Sequence, residues 1–177
     1  LFYRTYRLFS KIKIIGLAIS GIGLFFMMFF ISLEVLLRNV FTYSIPGNYE
    51  IVQNYLMPIV TFPILVYAYS SGILPRIHMV VARLNEKIQK SVLFVLIIVE
   101  MILFSLILVN SWQYALTATA QGMSFPASGV LYPLYPVLFL VPLGFAMLVI
   151  ELLFIFVKNI REKDVSFTVL QQKEEYL

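Results

Sequence analysis

The chain has 177 residues, of which 61% are hydrophobic and only 12% charged, with a formal net charge of +4. A soluble domain of this length carries roughly a quarter charged residues, so the deficit itself indicates a membrane protein. The absence of cysteine excludes disulfide scaffolds, thiolate metal sites and cysteine nucleophiles, and a single histidine excludes a bis-histidine haem within one chain.

Residues 1–13 interleave Arg4, Arg7, Lys11 and Lys13 with Phe2, Tyr3, Tyr6, Leu8 and Phe9, with no acid among them. Aromatic rings alternating with cations suit a membrane interface, so this stretch is predicted to be an interfacial segment leading into a span, not a nucleic-acid contact. A cleaved signal peptide is not expected, because the apolar run that follows is too long and lacks a small-residue cleavage site.

The first predicted span covers residues 14–37, long enough to cross ~30 Å of hydrocarbon with some tilt. Gly16, Ser20, Gly21 and Gly23 would let a neighbouring helix approach closely. Glu34 and Arg38 close the span at i,i+4 spacing, which predicts a helix-end ion pair. A Pro46-Gly47 turn leads to the second span, residues 49–72, which opens with Glu50 and contains Pro58 and Pro63. Prolines unpair backbone carbonyls in a membrane helix, either for a static bend covered by neighbours or for a transport site on a broken helix. The bend is the commoner meaning.

Residues 74–90 form the long polar interruption. At about 100° per residue, Ile77, Val80, Val81, Leu84 and Ile88 share one apolar arc, while Arg76, Arg83, Lys87 and Lys90 gather on a basic stripe. This predicts an amphipathic helix lying on the membrane, with those four cations as anchors to lipid headgroups. His78 stands alone on its flank; without a second ligand nearby it is read as an interface contact and not as a metal site.

The third span, residues 91–116, carries Glu100, with Trp112 and Tyr114 near its far end as an interfacial belt. Residues 117–131 are polar but uncharged. The fourth span, residues 132–157, is entered through Pro133 and Pro136 and carries Glu151; residues 158–177 are a charged tail. Of the 13 Lys and Arg, four precede the first span, four lie in 74–90 and four follow the fourth span, leaving Arg38 alone on the other side. The positive-inside rule then predicts that both termini and the 74–90 stretch are cytoplasmic. The whole is read as one all-α membrane domain of four spans with amphipathic interfacial helices at the N-terminus and between the second and third spans.

Glu100 and Glu151 lie about nine and seven residues from the predicted cytoplasmic ends of their spans, on the order of 10–14 Å deep at 1.5 Å per residue. A carboxylate there costs several kcal/mol unless it is protonated, paired or reached by water. Three readings follow: proton coupling, hydrogen bonding between spans three and four, or pairing with another subunit. With no Lys or Arg assigned to that depth, an ion pair within the chain is not expected. No nucleophile–base pair, phosphate loop or carboxylate dyad is present, so enzyme activity is not expected.

Arg38 ending span one, the Ser44-Ile-Pro-Gly47 turn, Glu50 opening span two, Arg76-x-His78 after it, and Leu131-Tyr-Pro-Leu-Tyr-Pro136 followed by Val141-Pro-Leu-Gly144 occur in an order that resembles a known family. That family is the small membrane subunit, the DctQ-type small permease, of TRAP (tripartite ATP-independent periplasmic) transporters. The resemblance covers roughly residues 30–157. It implies a scaffold subunit in the bacterial inner membrane that braces a large sodium-coupled elevator subunit. A periplasmic binding protein delivers the substrate, an organic anion of the carboxylate or sialic acid class. Sodium ions are then expected in the large subunit, with no cofactor, metal or substrate site in this chain. Arg38, Glu50, His78, Glu100 and Glu151 become candidate partner-interface or structural residues. Two alternatives stay open: a self-sufficient proton-coupled transporter using Glu100, and a non-transporting membrane assembly subunit.

Overall fold

The computed structural model describes residues 2–71 and 86–161. Helix α1 runs unbroken over Phe2–Phe41, and α2 over Asn48–Ile51. A π-helical turn, Val52–Leu56, joins α2 to α3, Met57–Ser70; α4 spans Glu86–Ala120. A short antiparallel hairpin follows, β1 at Ser124–Ala127 and β2 at Val130–Pro133, then α5 at Tyr135–Leu138 and α6 at Leu140–Arg161. Four stretches are long and apolar enough to cross a membrane: Arg4–Phe41, Asn48–Ser70, Ile88–Ala120 and Tyr135–Ile160. The all-α four-span architecture is therefore present, with one small hairpin added.

The N-terminal cationic segment is not a separate element. Tyr6, Phe9, Lys13, Gly16, Ser20, Gly23, Met27 and Phe30 recur at alternating three- and four-residue steps, and each is buried or half-buried. That single seam continues from the basic segment into the span, so the helix has no reason to break at residue 13. It ends at Phe41, where Thr42 takes a left-handed φ of 53°.

The long helices pack side by side in the order α1, α3, α6, α4. Small residues set the closest approaches. A Cβ on Gly16 would fall 2.3 Å from the Pro63 carbonyl oxygen, and one on Gly144 would fall 3.2 Å from that of Phe62. So α1 and α6 both press on α3 around Pro63, the residue that cannot bond to the carbonyl four positions earlier. α3 continues through Pro63 to Ser70 with α1 and α6 packed against it there, so the helix is not broken at this proline. Pro58 sits just beyond the π turn, whose wider loop closes with the Met57 N–H on the Val52 carbonyl. Asn54 Nδ2 donates to the Glu50 carbonyl at 2.8 Å within the same turn.

The core gathers at one end of the bundle: Tyr6 and Phe9 of α1, Val66 of α3, Leu93 and Ile97 of α4, and Leu148, Leu152 and Ile155 of α6. Ring contacts join the same helices, Tyr6 and Phe9 to Phe154, and Phe94 to Phe156. At the opposite end, the hairpin turns through Ser128 (φ 53°) and Gly129 (φ 81°), two left-handed residues in succession as a tight hairpin requires. Its inner face sets Phe125 edge-on to Tyr55, and Tyr55 Oη donates to the Pro133 carbonyl at 2.6 Å. Gly47, at φ 77°, lies so near Ala127 that a Cβ would come within 3.0 Å of the alanine methyl. The Pro46-Gly47 turn is thereby the seat on which the hairpin rests.

Candidate functional site

Glu151 lies on α6 with no exposed surface, and Lys13 on α1 is 3% exposed. Lys13 Nζ is 3.0 Å from Glu151 Oε2 and donates to Tyr6 Oη at 2.8 Å, while Tyr6 Oη donates to Glu151 Oε1 at 2.9 Å. The ammonium also sits 4.6 Å from the Tyr6 ring centroid and 5.5 Å from that of Phe9. One cation, one carboxylate and one phenol thus close a ring of hydrogen bonds at the buried end of the bundle, where Lys158 and Asn159 of α6 are buried as well. Lys13 and Tyr6 are two helical turns apart on the α1 seam, which brings both to the same stretch of α6.

This corrects two expectations. An ion pair within the chain does form, and the partner of Glu151 comes from the first span, not the third. Depth counted from an assumed start at residue 14 left Lys13 outside the spans. Because α1 begins at Phe2 and α6 continues to Arg161, the basic ends of both helices pack together, and Lys13 stands level with Glu151.

Glu100 is tied to a different neighbour. The Tyr69 hydroxyl of α3 donates to Glu100 Oε2, and the Tyr69 ring meets Phe104 edge-on. The two intramembrane acids therefore join different helix pairs, Glu151 linking α6 to α1 and Glu100 linking α4 to α3. The expected hydrogen bonding between spans three and four is replaced by these two ties: α4 and α6 pack against each other, but each acid finds its hydroxyl or ammonium partner on another helix. Tyr6, Lys13 and Tyr69 are the site residues that sequence reasoning missed; for Tyr6 and Lys13 the signal was their seven-residue spacing on the glycine-bearing seam.

Arg38 is exposed in the last turn of α1, and the predicted Glu34–Arg38 pair is not made. Glu34 Oε1 instead accepts from Ser44 Oγ at 3.3 Å, which draws the carboxylate toward the turn. Glu50 is half-buried in α2. His78, Arg76 and Arg83 lie outside the described residues; Lys87 lies in the first turn of α4, its side chain likewise outside them, and Lys90 is half-buried near the start of α4. Among the described residues, no three His, Cys, Asp or Glu side chains come together as metal ligands.

The fold and these ties define a helical multi-pass membrane protein whose buried acids join its own helices to one another. The chain matches the family model described as tripartite ATP-independent periplasmic transporters, DctQ component, over residues 27–162. It belongs to that family and is a small subunit of a TRAP transporter, a component of a transport system and not a member of an enzyme family. Comparison with curated proteins and with solved structures gives no match.

Proposed function

We propose that this subunit is the stationary brace of the transporter. It holds a large, sodium-coupled membrane subunit in the bacterial inner membrane while that subunit carries an organic anion, a carboxylate or sialic acid, delivered by a periplasmic binding protein. Both termini and the 74–90 stretch face the cytoplasm in this reading, with Arg76, Arg83, Lys87 and Lys90 among the lipid headgroups. The observation that carries it is the inward use of charge: Lys13, Tyr6 and Glu151 close on one another, and Glu100 is held by Tyr69. A moving carrier needs polar groups that exchange partners during the cycle, whereas a brace needs polar groups that lock its helices. Glu100, the group a self-sufficient proton-coupled transporter would use, is part of such a lock.

Affinity purification of the tagged chain from its native membranes tests the proposal. A stoichiometric large multi-span subunit is the expected companion, with uptake in proteoliposomes requiring both chains, sodium and the binding protein. Uptake by this chain alone would overturn it. Replacing Arg76, Arg83 and Lys87 together is expected to weaken the complex or transport; full activity with normal assembly would remove the anchor role.

A further inference from the structure

Lys13 turns inward, but the other three N-terminal cations do not. Arg4, Arg7 and Lys11 are exposed on α1, and among the described residues none has an ion pair. At about 100° per residue they fall within one arc of roughly 60°. No acid precedes Glu34 in the sequence, and the nearest buried carboxylate, Glu151, is already bound by Lys13. Among the described residues, the result is a row of three positive charges with no carboxylate paired to it.

The same helix face continues below the cations through Ile14, Ala18, Gly21, Phe25 and Met28, all exposed. Its upper part is shallow: a Cβ placed on Gly21 would meet nothing within 4 Å. The neighbouring exposed flank carries Leu8, Ile12, Ile15 and Ile19, each 47–61% exposed. So α1 offers an exposed apolar face beneath the cationic row, with its smallest side chains at Ala18 and Gly21.

Depth agrees with this arrangement. Lys11, Arg7 and Arg4 follow one another toward the N-terminal end of α1 over about 10 Å of helix rise, on the side of Lys13 away from the body of the span. The headgroup layer lies in that zone, and long Arg side chains reach down to it along the helix.

We propose that Arg4, Arg7 and Lys11 bind the phosphate headgroup of an anionic phospholipid whose acyl chain lies along Ile14, Ala18 and Gly21. Charge complementarity selects this occupant, since guanidinium groups pair with phosphate through paired N–H donors and a zwitterionic headgroup supplies no net charge. The apolar face below the cations suits a flexible acyl chain.

The chain has no native cysteine, so a bimane label on Ala18→Cys reports from that face alone. It is reconstituted in phosphatidylcholine nanodiscs and quenched with brominated phosphatidylglycerol or brominated phosphatidylcholine. The expected result is strong preference for phosphatidylglycerol at Ala18 and none at a control label on Ile19→Cys, at the same depth but about 100° around the helix. Combining Arg4→Gln, Arg7→Gln and Lys11→Gln should lower the preference at least about ten-fold, since each cation near a charged surface is worth about a five-fold change in binding. Arg38→Gln, at the other end of the helix, should leave it unchanged. Should the triple variant misfold, the unsubstituted cations still give a test: the preference must fall as ionic strength rises, and a salt-independent preference overturns the proposal. Equal quenching by both lipids at Ala18 also overturns it. So does displacement by an equal concentration of inorganic phosphate, or shielding of Ala18 from both lipids once the large subunit is bound, which would assign the face to a protein partner.

Discussion

Removing the Lys13 ammonium should weaken the subunit more than any other single side-chain truncation on α1. Lys13→Met keeps the aliphatic stem but deletes two of the three polar contacts in the cluster, those to Glu151 Oε2 and Tyr6 Oη. Glu151, with no exposed surface, then retains only the Tyr6 hydroxyl at 2.9 Å. Hydrogen bonds to charged groups contribute about 1.5–3 kcal/mol each, and stripping one partner from a buried pair costs about 3–5 kcal/mol through the charge left behind. A loss of about 3 kcal/mol or more is therefore expected, read as a lowered midpoint of thermal unfolding in detergent or nanodiscs. The double variant Lys13→Met with Glu151→Gln removes both charges while leaving an acceptor for Tyr6, and should recover at least half of that loss. A single variant within about 0.5 kcal/mol of wild type, the usual range for an unimportant surface change, would refute the reasoning.

Other substitutions follow from the same geometry. Glu100→Gln keeps an oxygen acceptor for Tyr69, so assembly and uptake should both persist; intact assembly with abolished uptake would show a transport role for this carboxylate. Gly16→Ala places a methyl 2.3 Å from the Pro63 carbonyl oxygen, whereas Gly21→Ala meets open space. The first should lower stability by about 1–3 kcal/mol, as overpacking does, and the second should be near neutral in the same melting assay. Gly129→Ala at φ 81° should strain the hairpin by about 1–2 kcal/mol, detectable as faster proteolysis between residues 124 and 133.

The spans and their charge asymmetry were legible because both depend on composition alone: about twenty apolar residues cross a bilayer whatever their partners. The Lys13–Glu151 pair was not, because depth depends on where each helix begins and how it sits against its neighbours. The α1 seam did carry a readable clue, since Tyr6, Phe9, Lys13, Gly16 and Ser20 keep one spacing across the supposed boundary at residue 13. Glu34 and Arg38 show the opposite limit. Their i,i+4 spacing allowed a pair, but Ser44, brought back by the turn after α1, offers Glu34 a competing donor. The hairpin at 124–133 lies mostly in the uncharged stretch 117–131 and takes the first two residues assigned to the fourth span, although Ser128-Gly129 between Phe125 and Tyr132 is a turn signal between strand-forming residues. Its inward ring, Phe125, is fixed by Tyr55 on a distant segment, which no local pattern reveals.

The central claim is that the helices of this subunit stay fixed to one another while the partner subunit moves. Gly23 on α1 faces Val60 on α3, a Cβ on the glycine falling 3.3 Å from a valine methyl, so Gly23→Cys with Val60→Cys sets a thiol on each side of the contact in this cysteine-free chain, to be joined by oxidation directly or through a short reducible bis-thiol linker. The measurement is sodium-driven uptake by the assembled transporter in proteoliposomes, before and after the staple closes and again after reduction. A stationary brace predicts the same rate in all three states. Uptake that stops on oxidation and returns on reduction would show that α1 and α3 move in the cycle and would contradict the account.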